Sequence, residues 1–238
     1  MVLVVKTPSP KICYLCAHMH PLRTYRIETE RLVIRCYKLE DAPAFLESIA
    51  TSREHLLPYM AWAESQPTSL EERIDFLRIA IANYHLGKDA MMAIWDKTET
   101  IFIGSTGYHD RVKGNATEIG CWIDARQAGK GYATEAVAAL TKVAFEVEGW
   151  DRVEIHHVPE NEVSAKVPLK LGYTCEATLK LRLPMQGGPG DEMIWSIFSQ
   201  EFEKLPIKKL PVKAFDAIGR EISLGNHHLL TEKGKNNR

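Results

Sequence analysis

The sequence predicts a mixed α/β domain in which a central sheet is flanked by helices. Two observations favour this class: strand-like and helix-like segments alternate through the middle of the chain, and one strong helix follows directly after a strand and a glycine-rich turn. Of the 238 residues, 45% are hydrophobic and 26% are charged, which is typical of a globular domain and excludes wholesale disorder. At roughly 100–200 residues per domain, we expect one large domain or one domain with extensions.

The strands and helices are placed by periodicity and by capping signals. Asp41 is positioned as the N-cap of a short helix, and Ser69 with Glu72 matches a capping box that opens a second helix. Residues 131–149 form a third helix with one narrow apolar face, and residues 161–170 form a short fourth helix. The predicted strands are residues 32–37, 90–95, 101–109, 117–123, 153–158, 174–183 and 192–198.

Composition shifts divide the chain into three parts. Residues 1–26 contain three prolines and no sustained period, and are predicted to be an irregular N-terminal extension. Residues 27–203 carry the alternating pattern of the domain. Residues 204–238 are predicted to be a C-terminal extension that is partly docked and frayed at its end.

Charge and cysteine usage limit the classes of partner. The 30 Lys and Arg residues are balanced by 31 Asp and Glu residues, so the basic excess of most nucleic-acid-binding proteins is absent. No apolar run approaches the roughly 20 residues that span a bilayer, and the start does not resemble a signal peptide. Five cysteines are too few for a disulfide framework, so we expect a cytoplasmic protein with reduced thiols.

Four soft metal ligands lie close together near the start, at Cys13, Cys16, His18 and His20. Both histidines follow Cys16 too closely for easy tetrahedral closure around zinc, so we expect no metal site. An extension upstream of a natural start at Met19 explains this segment equally well.

The most informative segment is a strand, a glycine-rich turn and the start of a helix. Gly129 and Gly131 let the backbone approach a bulky anion, and the free N–H groups of the helix start favour phosphate or pyrophosphate. A turn that merely requires glycines is the alternative. A Walker loop is excluded because Asp124 occupies its first glycine position, and Thr134 fits a dinucleotide fingerprint poorly.

The remaining spacing resembles the coenzyme A loop of the GCN5-related N-acetyltransferases (GNAT). The segment from Asn161 to Tyr173 resembles a second motif of that family, at the expected distance from the loop. Two further segments, residues 29–35 and 191–196, are typical of the RimJ/RimL-type ribosomal-protein N-terminal acetyltransferases. The resemblance implies a GNAT fold: a central mixed, mostly antiparallel sheet of about seven strands flanked by helices, with splayed fourth and fifth strands.

The resemblance also implies how acetyl-CoA would be held. Backbone groups of the fourth strand would pair with the pantetheine arm, and loop N–H groups would receive the pyrophosphate. Ala128 departs from the family, which usually has Gln or Arg there, and Arg126 or Gln127 would replace it only if the loop shifts. The implied coenzyme-binding residues are Trp122, Ile123, Asp124, Gly129, Lys130, Gly131, Tyr132, Ala133, Thr134 and Asn161.

The implied chemistry is acyl transfer from a thioester to an amine. An α-amine with a pKa near 8 is mostly protonated at neutral pH, so a base must remove a proton. Glu118 matches a glutamate that several family members use, although it could also be a surface strand residue. Pro168 replaces the usual tyrosine that protonates the thiolate, and Ser164 matches the serine of the RimL branch. Simple helix capping is the alternative for Asn161 and Ser164.

The residues that would bind the acceptor amine are the part of the site that the sequence determines least. Tyr59, Trp62 and Glu64 lie where the branch builds one wall of this site, although a helix-packing cluster is equally compatible. The loop at residues 184–190 is expected to form the opposite wall or a contact between the subunits of a homodimer.

The predicted function is direct transfer of acetyl from acetyl-CoA to a primary amine, because no cysteine has a convincing nucleophile setting. A protein N-terminal α-amine is the first expectation and a polyamine, amino acid or antibiotic the second. Ala128 and Pro168 favour a third hypothesis, a non-catalytic acyl-CoA-binding module.

Overall fold

A computed structural model describes residues 22–66 and 68–225 of the chain. The segment with Cys13, Cys16, His18 and His20 lies outside the described residues. The strands are β1 Arg26–Glu28, β2 Leu32–Cys36, β3 Asp89–Asp96, β4 Phe102–His109, β5 Ala116–Ile123, β6 Arg152–His157, β7 Thr174–Met185, β8 Gly188–Phe198, β9 Lys213–Phe215 and β10 Glu221–Ile222. The α-helices are α1 Ala42–Leu56, α2 Leu70–His85, α3 Tyr132–Val143, α4 Glu162–Leu171 and α5 Ser199–Phe202.

In the described part of the chain, all ten strands form one open sheet in the order β10-β9-β1-β2-β3-β4-β5-β6-β8-β7. The predicted fold class is confirmed, but about seven strands is too low a count. The additional strands β1, β9 and β10 have only two or three residues, which is too short to show an alternating pattern. They extend the sheet along the free edge of β2, where β9 pairs antiparallel with β1.

The predicted splay of two central strands is confirmed by the register. Strands β5 and β6 run parallel and pair only from Ala116 to Glu118 on one strand and from Arg152 to Glu154 on the other. Beyond this point the strands separate, so the backbone of residues 119–123 faces an open wedge instead of β6. The wedge opens toward the end of β5 that leads into the glycine-rich turn.

Two layers of side chains pack on opposite faces of the sheet. Helices α1 and α2 cover one face with an aromatic and aliphatic cluster that includes Phe45, Leu77 and Trp122. Helix α3 covers the other face, where Leu140 and Ile119 belong to the larger core cluster. Because both faces of the central strands are buried, the sheet is a rigid support for groups at its open wedge.

Local signals explain where the helices begin. The Ser69 hydroxyl accepts a hydrogen bond from the Glu72 N–H, and the Glu72 carboxylate accepts one from the Ser69 N–H, as the capping box predicts. Asp41 occupies the N-cap position of α1, as predicted, but its side chain makes no cap hydrogen bond to that helix. Its buried carboxylate instead accepts two hydrogen bonds from the Arg35 guanidinium, at 2.8 and 2.9 Å.

Within the described residues, no helix is both long enough and apolar enough to cross a bilayer.

Candidate active site

The side chains of β5 alternate between the two faces of the sheet. Glu118 and Trp122 point to the face covered by α1 and α2, whereas Ile119, Cys121 and Ile123 pack toward α3. The backbone of this strand lines the wedge. The wedge is therefore bordered on one side by the sheet face that carries Glu118 and Trp122, and on the other side by the face that packs against α3.

The glycine-rich turn connects the end of the wedge to α3. Gly129 and Gly131 adopt positive φ angles of 77° and 81°, which favour glycine over residues with a side chain. A Cβ at Gly129 would meet no atom within 4 Å, so the space above it is open. The first N–H groups of α3, beginning at Tyr132, have no carbonyl partner within the helix and form a natural anion site.

Side chains from two parts of the chain meet at this turn: Thr29 and Arg31 follow β1, and Glu135 lies in α3. The Glu135 carboxylate accepts hydrogen bonds from the Thr29 hydroxyl at 2.6 Å and from Arg31 Nε at 2.6 Å. Arg31 Nη1 also donates to the Lys130 carbonyl at 3.0 Å, and its guanidinium lies 4.7 Å from the centre of the Tyr132 ring. Sequence reasoning gave no role to Arg31 and Glu135, because 104 residues separate them.

Asp124 and Arg126 are occupied with each other. Burial acts to raise the pKa of Asp124, but hydrogen bonds from Arg126 outweigh it and hold that pKa below the ordinary value. Arg126 Nη2 lies 2.7 Å from Asp124 Oδ2, and its other end pairs with Glu47. Gln127 Oε1 accepts a hydrogen bond from Lys130 Nζ at 2.7 Å, so both candidate replacements for the family side chain at Ala128 are paired with neighbouring residues in this structure.

Helix α4 presents the second predicted motif. Asn161 is its N-cap, and the side-chain oxygen accepts a hydrogen bond from the Ser164 N–H at 3.0 Å. Capping is therefore at least one role of Asn161. None of the described residues hydrogen-bonds the Ser164 hydroxyl, which is half-buried. Pro168 is buried within the helix and cannot supply a proton.

The face that carries Glu118 has a floor of acidic side chains, which we call the acidic floor: Glu118, Glu154 and Glu192. Glu118 Oε1 accepts a hydrogen bond from Arg111 Nη1 at 2.9 Å. The His156 ring lies between the other two, with Nε2 2.7 Å from Glu154 Oε2 and Nδ1 3.0 Å from Glu192 Oε1. The three side chains are 9%, 9% and 16% exposed, and Arg152 Nε also lies 2.6 Å from Glu154 Oε1, so two of the three carboxylates have an arginine partner.

A histidine next to this floor was not identified from the sequence. His109 ends β4 opposite Glu118, and its Nδ1 lies 2.6 Å from Asp89 Oδ1 on β3. An ideal Cβ built on Gly120 would lie 2.7 Å from His109 Nε2, so the ring passes directly over this glycine. No signal in the sequence joins these residues, because the contact depends on the register of three strands.

The three residues predicted to form an acceptor wall have separate contacts in the structure. The Trp62 ring lies 6.2 Å from the Trp122 ring, which places it beside the strand that borders the wedge. Glu64 is exposed and accepts a hydrogen bond of 3.4 Å from Gln186 of the β7–β8 turn, so the two predicted walls meet there. Tyr59 is half-buried in the turn after α1, and no ring contact joins it to Trp62 among the described residues.

Cys121 has neither the position nor the ionisation state of a nucleophile. Burial raises the pKa of its thiol to about 12, despite a hydrogen bond with Thr106 that lowers it. The side chain also lies on the sheet face opposite Glu118. Among residues 22–66 and 68–225, no cluster of three or more His, Cys, Asp or Glu side chains is arranged to hold a metal ion.

Comparisons with known proteins agree with this arrangement. The acetyltransferase (GNAT) domain family matches residues 31–174. The uncharacterized N-acetyltransferase YoaA of Bacillus subtilis strain 168 is 26% identical over 172 residues, 72% of this chain and 95% of its own length. The ribosomal protein uS5-alanine N-acetyltransferase of Escherichia coli K12 is 23% identical over 183 residues, 74% of this chain and 92% of its own length.

A solved structure has the same fold. The microcin C7 self immunity acetyltransferase MccE, in complex with acetyl-CoA and AMP, superposes with a TM-score of 0.66 over 71% of this chain and 93% of its own. Its sequence identity is 21%. The resemblance seen in the sequence is thus confirmed: the chain belongs to the GNAT family of acetyltransferases, has relatives among the ribosomal-protein acetyltransferases, and is an acyltransferase.

Proposed function

We propose that this protein transfers an acetyl group from acetyl-CoA to the α-amine of a protein N-terminus. The observation that supports this most is the open wedge between β5 and β6, which leads into the glycine turn at the start of α3. The wedge has a polar, acidic face on one side, so a thioester in the wedge and a cationic amine above that face would meet at β5.

The residues present fit coenzyme A. The N–H groups of Gly129, Lys130 and Gly131 lie in an exposed turn, and those of Tyr132, Ala133 and Thr134 start α3. The space above Gly129 is open to a pyrophosphate, and Trp122 and Ile123 have no strand partner on the β6 side, where the amides of a pantetheine arm would lie. The Asp124 side chain is occupied by Arg126, and its N–H and carbonyl pair with Ile103 and Gln127. These roles, and that of Asn161 toward pantetheine, remain predictions.

The chemistry is direct attack of the amine on the thioester within a ternary complex. The coenzyme supplies an activated acetyl group whose thiolate is the leaving group. Among the chain's own groups, the Glu118 carboxylate lies on the acceptor side and would hold the ammonium or accept its proton. The Ser164 hydroxyl would donate a hydrogen bond to the sulfur as it leaves. Cys121 lies on the wrong face for an acyl-enzyme intermediate.

The acceptor class is supported by charge and by relatives. A primary amine reaches the site as a cation at neutral pH. The acidic floor offers it three partly buried carboxylates, of which Glu192 pairs with His156, whereas Glu118 and Glu154 pair with Arg111 and Arg152. The uS5-alanine N-acetyltransferase of E. coli carries its acceptor in its name, a ribosomal protein. Trp62, Tyr59 and Glu64 would contact the first residues of such a peptide. Contact of the β7–β8 turn with a second subunit, and a place in the cytoplasm, remain predictions.

A small-molecule amine is the second candidate acceptor. The structural neighbour MccE is named for self immunity to microcin C7, and its complex contains AMP beside acetyl-CoA. At 21% identity this likeness concerns the fold alone, so it does not select the acceptor. The acidic floor is compatible with a polyamine as well as with a peptide N-terminus.

The test is an acceptor panel with acetyl-CoA. The purified protein is incubated with peptides that begin in Ala, Ser or Met, with spermidine, and with free amino acids, and acetylation is read by mass spectrometry and thiol release. We expect peptide kcat/KM to exceed that of the small amines by at least tenfold, with acetyl on the α-amine. N-terminally blocked peptides that keep their lysines are the control. Preferential acetylation of spermidine, or of lysine in the blocked peptides, would contradict the proposal.

A further inference from the structure

His109 is a titratable group on the acceptor face to which the resemblance gives no role. It lies between Asp89 and Glu118 in the strand register, and all three side chains point to the same sheet face. Its side chain is 14% exposed, so a small substrate can still reach it. The Gly120 backbone lies directly beneath it, one step along the face from Trp122 at the wedge.

The contact with Asp89 determines which nitrogen is available. A carboxylate only accepts hydrogen bonds, so the 2.6 Å contact requires a proton on His109 Nδ1. In the neutral imidazole this leaves the lone pair on Nε2, the atom over Gly120. None of the described residues hydrogen-bonds Nε2. The absence of a side chain at residue 120 makes room for the ring, since a Cβ there would clash with it at 2.7 Å.

Glu118 is less available than the sequence suggests. Its Oε1 is occupied by the Arg111 guanidinium at 2.9 Å, and its Oε2 lies 3.9 Å from His156 Nδ1. Among the described residues, Oε2 accepts no hydrogen bond, so this oxygen can still pair with an ammonium group although Arg111 offsets part of the carboxylate charge. Transfer of a proton to it would weaken its pairing with Arg111.

We propose that His109 Nε2, held in the correct tautomer by Asp89, accepts the proton of the acceptor amine. This inference rests on the proposed function, because it requires the amine to approach from the acidic floor. The ammonium gives one proton to Nε2 and forms an imidazolium. The nitrogen lone pair then forms the N–C bond, the C–S bond breaks, and its electron pair goes to sulfur. The second nitrogen proton passes to the thiolate, and the imidazolium releases its proton to water.

In this account Asp89 is a positioning residue and Glu118 helps to bind the cation. The groups whose charge acts on the imidazole come from four strands and one turn. They are Asp89 on β3, Glu118 on β5, Arg111 in the turn after β4, Arg152, Glu154 and His156 on β6, and Glu192 on β8.

The test compares His109→Gln with Glu118→Gln. We expect His109→Gln to lower kcat about 10²–10⁴-fold at pH 7. We expect Glu118→Gln to raise the KM of the amine and to lower kcat less than tenfold. Acetyl-CoA affinity, measured by calorimetry, should stay within twofold of wild type in both, which shows that both variants are folded. His85→Gln is the matched control, because His85 lies outside this face and contacts Tyr25.

The pH profile separates a chemical role from a structural one. An imidazole base becomes inactive once it is protonated, so wild-type kcat/KM should have an acidic limb that belongs to the enzyme. His109→Gln should replace this limb by the one that follows the fraction of free amine. Asp89→Asn should lower kcat about tenfold, because the ring is no longer held by a carboxylate in the tautomer that leaves Nε2 free.

Two results would overturn the inference. The first is that Glu118→Gln loses most of its kcat, whereas His109→Gln keeps the wild-type kcat and the wild-type acidic limb. That result would make Glu118 the base. The other is wild-type kinetics in both variants. Failure of the proposed function is distinguishable from both, since the wild-type protein would then acetylate no peptide in the panel.

Discussion

The glycine-rich turn and the acidic floor are constructed in opposite ways. The turn is a contiguous stretch that offers backbone N–H groups, and its shape depends on two positive φ angles. The floor has no contiguous segment: its carboxylates come from β5, β6 and β8, and they are brought together only by strand pairing. Each of two glycines is therefore needed for the shape of the turn, whereas the charge of the floor is divided among three side chains. A single substitution at the turn should therefore abolish coenzyme binding almost completely, whereas each substitution at the floor should weaken amine binding only in part.

The largest effect is expected at the turn. Gly131→Val should abolish coenzyme binding, a loss of at least 100-fold or about 2.7 kcal/mol, because a branched side chain covers the N–H groups at the start of α3. Thermal-shift stabilisation by acetyl-CoA measures this. Gly114→Val is the matched control, since Gly114 also has a positive φ, of 88°, and open space around it. The Gly114→Val variant should have the same backbone strain of about 1–2 kcal/mol, but acetyl-CoA should still raise its melting temperature. A folded Gly131→Val protein with the full shift would show that the turn does not hold the coenzyme.

A smaller effect is expected at α4, where we propose that the Ser164 hydroxyl acts only as the thiolate leaves. Ser164→Ala should lower kcat about 10–100-fold, or about 1.4–2.7 kcal/mol, with little change in acetyl-CoA affinity. Asn161→Ala is the contrasting variant, because it removes the N-cap and should cost about 1 kcal/mol of unfolding free energy. If Ser164→Ala weakens acetyl-CoA binding and leaves kcat unchanged, the serine holds the coenzyme instead.

At the acidic floor the effect should be graded and electrostatic. Glu192→Gln should raise the KM of a cationic amine about 3–10-fold at low salt and leave kcat nearly unchanged, since two carboxylates remain. The rise should shrink in initial-rate measurements at high ionic strength. Glu176→Gln, at an exposed position of β7, serves as the control for charge alone. Equal KM changes in both variants would mean that net charge, and not the floor, attracts the amine.

The smallest effect is expected on the apolar face of β5. With its pKa raised to about 12, roughly one Cys121 thiol in 10⁵ is ionised at pH 7. Cys121→Ala should therefore change kcat less than twofold. An acetylated Cys121 peptide, trapped by rapid acid quench and found by mass spectrometry, would contradict direct transfer.

The same contrast explains which features could be predicted from the sequence. The turn, the N-cap at Asn161 and the capping box at Ser69 depend on neighbours a few residues away, so spacing alone indicates them. The His109–Asp89 pair and the Arg31–Glu135 contact join residues 20 and 104 positions apart. Their geometry depends on strand register and on how the β1–β2 turn meets α3, which no local pattern encodes.

Asp41 illustrates a local signal overruled by tertiary structure. Its position before α1 matches an N-cap, but a buried Arg35 guanidinium offers the carboxylate two hydrogen bonds. The same carboxylate also accepts the Lys38 N–H at 2.8 Å, so the buried ion pair and the preceding turn occupy it in place of the cap. The short strands β1, β9 and β10 were missed for a similar reason, since each depends on pairing and not on its own pattern.

Amide hydrogen exchange with and without acetyl-CoA tests the central claim, that coenzyme binds through the backbone of the wedge and turn. We predict slower exchange in peptides that cover residues 119–134 when acetyl-CoA is present, and unchanged exchange in the distant β9–β10 edge at residues 213–222. Protection should be lost in Gly131→Val and kept in Gly114→Val. Saturating acetyl-CoA that leaves residues 119–134 unprotected, or that protects another part of the chain instead, would contradict the account.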